Sequence, residues 1–376
     1  MGVVDTVAVR RRASSSFGIP ADRANVGTVL RWVAVATVVT CVVLVLILPW
    51  PLPYEESIEQ IMQERSAYLR EQCQTIHTLG NFTLSSVVRT SHPQHLYYNY
   101  FHQPRLRLLW CSISKVASTS WMYQFNRWAG VPREKIDRAA RELKALTRMH
   151  YPVPTRAYVE QIKQEGREEP VVRFILVRDP MDRFVSAYED LIVRPQSDNY
   201  RNLRRFIFRE VYGVDVPPVS GSPENSTAAV PVPTFSDFTE FVLRRSNVLD
   251  PHWNSYYNLC DPCFLEPTVI VKLETYDRDV AYLLRLANLT ADNYDNDQGR
   301  AGDRFEGHRL NVNHHRATTS ASGDTLHQSG FASPSTMRRL AELTDDQFER
   351  LYRRFELDFR LFQYDASQYF ALFRED

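Results

Sequence analysis

The run Val171-Val-Arg-Phe-Ile-Leu-Val177 restricts the fold more than any other stretch of the chain. A strand that is apolar on both faces must be covered on both faces, which is the habit of a parallel sheet sheathed by helices. Pro180 stands where the first turn of a helix tolerates proline, and the helix it opens is predicted to reach about Val193. Two further strands are predicted, Leu106–Ile113 and Thr268–Lys272. The first runs through a polar turn into a helix over about Thr119–Trp128, and the second precedes a helix over Asp277–Ala287. Amphipathic spacing predicts further helices at Arg133–Arg148, Thr155–Glu165, Phe235–Arg245 (capped by Thr234 or Ser236) and Leu340–Phe359. Strands alternating with helices mean α/β architecture around a parallel sheet. Residues 213–234, with five prolines, and residues 291–335, rich in Gly, Asn and Asp, read as flexible inserts.

Trp32–Leu48 is a different kind of constraint: 17 uncharged, mostly apolar positions, extendable to 29–48. That length suits a short transmembrane helix. Arg10, Arg11, Arg12, Arg23 and Arg31 precede it and Glu55, Glu56 and Glu59 follow it, so the N-terminus is expected in the cytoplasm. A short span matches the thinner early secretory membranes. The expectation is a single-pass type II protein of the Golgi: a cytoplasmic tail at 1–28, a signal-anchor at 29–48, a luminal stem at 49–103 and a luminal domain at 104–376. Three sequons, at Asn81, Asn225 and Asn288, fall on the luminal side. Cys41 lies in the span, leaving Cys73, Cys111, Cys260 and Cys263 for an oxidising lumen. Four cysteines allow three pairings. Cys260-Asp-Pro-Cys263 is a lone CxxC and favours disulfide chemistry over a zinc site, which needs two such pairs.

Apolar residues make up 44% and charged residues 24%, which excludes a wholly disordered chain. Lys plus Arg equals Asp plus Glu at 45 each, so the basic excess of a non-specific nucleic-acid binder is missing. Within that balance only Lys115, Lys135, Lys144, Lys163 and Lys272 are lysines; the other cations are arginines, suited to bidentate grip on phosphate, sulfate or carboxylate.

Two strand-to-helix junctions carry the chemistry. Ser114-Lys115-Val116-Ala117-Ser118-Thr119-Ser120 follows the first strand, where a turn feeding a helix gathers backbone N–H groups into an anion cradle beside one lysine. It is not a Walker A loop. Arg178-Asp179-Pro180-Met181-Asp182-Arg183-Phe184-Val185-Ser186 follows the buried strand, at the end where open α/β sheets bind ligands. Arg178, Arg183 and Ser186 are candidates for a second phosphate. Without a Walker A loop or a paired Mg²⁺-binding carboxylate set, an ATP-dependent kinase is disfavoured.

A lysine in the first loop and Arg…Ser after a later strand resembles the sulfotransferases. More narrowly, the chain resembles the Golgi carbohydrate sulfotransferases that include the chondroitin and dermatan 4-O-, GalNAc 4-O- and glucuronyl 3-O-sulfotransferases. Phe235-Ser-Asp-Phe-Thr-Glu-Phe, His252-Trp253, Cys260-Asp-Pro-Cys263, Val271-Lys-Leu-Glu-Thr275 and Leu351–Tyr364 recur in that order in the family. The resemblance implies a P-loop-NTPase-like sulfotransferase domain that takes sulfate from 3′-phosphoadenylyl sulfate (PAPS), needs no metal, and gives it to a glycan, first of all O-4 of GalNAc in chondroitin. It places the 5′-phosphosulfate loop at Ser114–Ser120, with Lys115 at the bridging oxygen, and the 3′-phosphate segment at Arg178–Ser186. The family commonly carries Pro where Ser114 stands and Asn where Ser120 stands. A hydroxyl acceptor needs a base, for which His252 is the candidate, with His150 and Glu189 behind it. Arg201, Arg204, Arg205 and Arg209 recur at helical spacing and suit a polyanionic acceptor, with Arg244/Arg245 and Arg353/Arg354 as alternatives. A non-catalytic, membrane-tethered glycan-binding protein is the reading that loss of Lys115, Arg178 or Ser186 would favour; all three are present.

Overall fold

The computed structural model describes residues 30–39, 57–79, 97–140, 142–165, 170–195, 197–214, 230–245, 250–289 and 333–373. The chain forms two units, Met1–Glu56 and Ser57–Asp376. In the first, residues 30–39 are helical and exposed; among the described residues no helix is long and apolar enough to cross a membrane. The rest of the expected span, and the sequons at Asn81 and Asn225, lie outside the described residues.

The second unit is built on four strands in the order β1 (Tyr100–Gln103), β2 (Leu108–Cys111), β3 (Val172–Val177) and β4 (Val269–Lys272). β2, β3 and β4 are parallel, with Trp110 beside Phe174 and Ile175 beside Ile270. β1 pairs antiparallel with β2, so the sheet is mixed rather than wholly parallel. The apolar run of β3 is buried from Phe174 to Val177, as its composition demands.

Helices fill the crossovers. α1 (Ile58–Leu79) precedes the sheet. Between β2 and β3 come α2 (Ser118–Trp128), α3 (Arg133–Arg138), α4 (Leu143–His150) and α5 (Arg156–Glu165). The single helix expected over Arg133–Arg148 is therefore two. α6 (Pro180–Ala187) passes directly into a π-helical turn, Tyr188–Val193, instead of running on as α-helix. α7 (Asp198–Tyr212), α8 (Phe235–Arg244), α9 (Tyr256–Cys260) and α10 (Pro262–Leu265) lead to β4. α11 (Tyr276–Leu286), α12 (Pro334–Leu340), α13 (Asp345–Leu361) and α14 (Ser367–Phe370) complete the unit. α8 starts with a capping box: Thr234, rather than Ser236, accepts from Asp237 N, and Asp237 accepts from Thr234 N.

Residues 58–79 and 97–103, within the stem expected at 49–103, pack into this unit. Met62, Leu69 and Cys73 of α1 are buried in the core that covers the sheet, and β1 is its edge strand. Trp110, Trp121, Phe125 and Phe174 form the centre of that core, with the Trp121 and Phe174 rings 4.8 Å apart. A second core joins α6, α8 and α13 through Phe184, Phe235, Phe238 and Phe355. Two disulfides bind the layers, Cys73–Cys263 and Cys111–Cys260. The two cysteines of the CxxC thus pair with distant partners and not with each other.

Candidate active site

β2 ends at Cys111, and the chain then turns through Ser112–Ala117 into α2. Lys115 and Ala117 both hold left-handed backbone, with φ of 70° and 65°. Such a conformation is costly for residues with a Cβ and is kept where the surroundings impose it. Ala117 is the N-cap residue and makes no side-chain cap hydrogen bond. With no side-chain cap from residue 117, the dipole at the start of α2 favours an anion there. Val116 is buried, whereas Ser114, Lys115, Ala117, Ser118, Thr119 and Ser120 are partly exposed.

The Lys115 amine donates to Asp190 Oδ2 at 2.6 Å, with side chains 13% and 33% exposed. Burial pushes the Lys115 amine below its ordinary range; Asp190 opposes this, and Arg178 and Arg183 add to it. Asp190 lies on the π-helical turn, four residues beyond Ser186.

The second junction divides its labour. Arg178 leaves the end of β3 partly exposed, 3.7 Å from Asp182. The Tyr256 hydroxyl fixes its backbone, accepting from Arg178 N at 3.0 Å and donating to Arg178 O at 2.7 Å. Ser186 is partly exposed as well. Asp179 is the N-cap of α6, accepting from Met181 N and Asp182 N, and it also accepts from the Tyr369 hydroxyl at 2.7 Å. Pro180, Met181, Phe184 and Val185 are buried, so their side chains serve packing rather than ligand contact.

Arg183 departs from the phosphate role expected of it. Its side chain is buried, and the guanidinium donates to three carbonyls: Ser114 O at 3.0 Å, Asn254 O at 2.7 Å and Pro251 O at 2.9 Å. It ties the Lys115 loop to the loop that carries His252.

That second loop holds the base candidate His252 against a carboxylate and a phenol. His252 Nδ1 lies 2.8 Å from Asp250 Oδ1 and 3.0 Å from the Tyr200 hydroxyl, and His252 N donates to the same carboxyl oxygen at 2.9 Å. An ionised carboxylate only accepts, so Nδ1 carries the proton and Nε2 holds the lone pair that a base needs. Burial first, then Asp250 and Asp190, raise the Tyr200 hydroxyl well above its ordinary range, which keeps it protonated. Asp250, Tyr200 and Asp190 escaped the sequence reading. Only Asp250 left a local signal, a carboxylate two residues before the histidine; Tyr200 and Asp190 reach the site through tertiary folding.

The other base candidates are differently engaged. Glu189 accepts from Arg339 at 2.7 Å, and His150 is exposed at the end of α4. The arginine stripe is not one face: Arg204 is buried and donates to the carbonyls of Ile192, Val193 and Val230, whereas Arg209 is exposed and Arg201 pairs with Asp198 at 2.8 Å. Arg205 is partly exposed. Arg244 and Arg245 pair with Glu240 and Glu210, and Arg353 pairs with Glu349. Burial lowers the Arg354 guanidinium from its ordinary range. Asn288 is exposed. No group of three or more metal-ligating side chains occurs among the described residues.

Residues 98–365, which carry both junctions and the His252 loop, match the family model described as the sulfotransferase family. The chain belongs to the sulfotransferase family. Among curated relatives it is 25% identical to carbohydrate sulfotransferase 8 of Mus musculus over 61% of this chain and 51% of that protein. To carbohydrate sulfotransferase 12 of Xenopus laevis it is 34% identical over 31% of this chain and 28% of that protein. To carbohydrate sulfotransferase 11 of Danio rerio it is 24% identical over 76% and 71%. The chain spans about half the length, or less, of the first of these relatives. No solved structure matches.

Proposed function

We propose that this sulfotransferase-family chain moves a sulfuryl group from PAPS to a hydroxyl of a glycan, first of all O-4 of GalNAc in chondroitin- or dermatan-type chains. The observation that carries the reading is the Lys115 loop, where a part-buried ammonium sits beside a helix N-terminus whose N-cap residue, Ala117, makes no side-chain cap. That donor set suits a phosphosulfate. Ser114–Ser120 would hold the 5′ end, and Arg178 with Ser186 the 3′-phosphate. Bound PAPS supplies the sulfuryl group and a phosphate leaving group. Lys115 brings positive charge to that leaving oxygen, and His252 Nε2, with Nδ1–H held by Asp250, takes the proton from the acceptor hydroxyl. The names of the relatives support a carbohydrate acceptor. Arg201, Arg205 and Arg209 remain as acceptor contacts, and Arg204 leaves that set. A type II Golgi anchor at 29–48, a luminal domain with a P-loop-NTPase-like core and sequon use at Asn81, Asn225 and Asn288 complete the proposal.

The test is transfer of radiolabelled sulfate from PAPS to a panel of desulfated glycans by the full chain. Label should enter chondroitin, and Lys115→Ala should abolish transfer while the protein stays folded, because the side chain lies at a partly exposed loop. Transfer to no glycan, or an active Lys115→Ala enzyme, would overturn the reading. Label entering only glucuronyl or terminal GalNAc acceptors would move the specificity to those sugars.

A further inference from the structure

Asp190 has no assigned part in the two phosphate segments, yet its carboxylate makes the shortest contact in the site. We propose that Asp190 is a positioning residue, its carboxylate fixing where the Lys115 ammonium points. The inference rests on the reading of Lys115 as the cation at the leaving oxygen.

A lysine ends in a compact charge on a flexible four-carbon stem, so a site that needs it in one place must hold it there. Here Asp190 Oδ2 accepts from Lys115 Nζ at 2.6 Å. Asp190 itself is held. The π-helical turn Tyr188–Val193 rotates the side chains that follow α6, and turns of this kind recur at functional sites. Its neighbours are locked: Tyr188, Leu191 and Ile192 are buried, and Glu189 is gripped by Arg339. A straight continuation of α6 would send residue 190 in another direction.

The carboxylate also has an electrostatic task. Lys115 faces the Arg178 and Arg183 guanidiniums from the β3–α6 junction, and both, with burial, favour its neutral form. Asp190 is the counter-charge that favours the ammonium. A neutral amine would bring no positive charge to a leaving phosphate. The same carboxylate acts on Tyr200, whose hydroxyl touches His252, so its field reaches both halves of the site.

The experiment compares full-length wild type with Asp190→Asn and Asp190→Glu by trace acetylation with acetic anhydride across pH, read by mass spectrometry at each lysine. The chain has only five lysines, and exposed Lys135 is an internal reference. In Asp190→Asn the midpoint of Lys115 reactivity should fall by about one pH unit, a tenfold loss of proton affinity, with Lys135 unmoved. The basic limb of kcat/KM for PAPS should move down with it. Asp190→Glu, which keeps the charge, should retain most of the wild-type midpoint. An unmoved Lys115 midpoint in folded Asp190→Asn overturns the proposal, as does a fall in kcat confined to the acid limb, which would make Asp190 a base. If Asp190→Asn does not fold, Asp190→Glu and Asp190→Ser carry the same comparison. Lys115→Ala separates the two readings: if it still transfers sulfate, the role of Lys115 fails, while a midpoint displaced by Asp190→Asn still supports the positioning contact.

Discussion

A buried guanidinium donating to three carbonyls makes Arg183 the hinge pin of the site at the scale of a single residue. Two of those carbonyls flank His252 in sequence and the third is the Ser114 carbonyl beside Lys115. Lysine has no planar fork and cannot reproduce the three directions. Arg183→Lys should therefore cost about 3 kcal/mol in urea unfolding, the worth of a charged hydrogen-bond donor withdrawn from buried acceptors. It should also lower kcat, because both loops lose their common anchor; an unchanged kcat would show that the loops are held by other contacts. Residue type and address were legible in the sequence here, and direction was not. By type and position, Arg183 and Arg204 both suit outward anion contacts. Each instead satisfies backbone carbonyls, a use of arginine that spacing cannot distinguish from ligand binding. Helical spacing at 201, 204, 205 and 209 also ignored Ile207, whose burial marks the inward side on which Arg204 lies.

Among the elements, α14 braces the Arg178–Ser186 segment from outside it. The Tyr369 hydroxyl donates to Asp179, which caps α6, and Asp179 N donates to Glu274 at the end of β4. Burial lifts the Asp179 carboxyl to about 7, with Asp182 adding to the rise and the Tyr369 hydrogen bond opposing it. A carboxyl raised in the fold keeps a proton that the unfolded chain releases near pH 4. Its contribution thus favours the fold most in acid and is lost as the pH climbs from about 4 to 7. Tyr369→Phe removes the opposing bond and widens that window. It should lower stability by about 1–2 kcal/mol at pH 7, and raise KM for PAPS through Arg178 with kcat retained. If KM is unchanged while stability falls, the brace serves the fold alone. β3 and the helix start at Pro180 were legible because burial and proline geometry are local. The π-helical turn was not, since one inserted residue leaves the apolar periodicity nearly intact. Nor was the break between α3 and α4: Ile136, Leu143 and Leu146 keep helical spacing across it, so only tertiary packing decides it.

For the molecule as a whole, the two disulfides are nested, Cys111–Cys260 lying inside Cys73–Cys263. Sequence left three pairings open because pairing depends on which strands and helices meet. With the inner crosslink closed, the outer one adds only the circuit along 73–111 and 260–263, roughly 40 residues, for which chain entropy gives about 4 kcal/mol. The inner crosslink closes the longer loop and stabilises by about 5 kcal/mol on the same account. Their functional reach differs. Cys111 directly precedes the Lys115 loop and Cys260 follows the His252 loop, whereas Cys73 and Cys263 fasten α1 to α10. Cys73→Ser with Cys263→Ser should lower the unfolding midpoint yet keep kcat at low temperature. Cys111→Ser with Cys260→Ser should lower both, as the two loops lose a shared tether. Losing all four removes about 9 kcal/mol, most of the 5–15 kcal/mol that holds a typical domain together, so that variant should fail to fold. Denaturant titration of the three variants beside wild type decides it. If the four-cysteine variant is no less stable than the weaker pair variant, one crosslink constrains nothing. If kcat falls equally in both pair variants, α1 bears on the site as directly as β2 does.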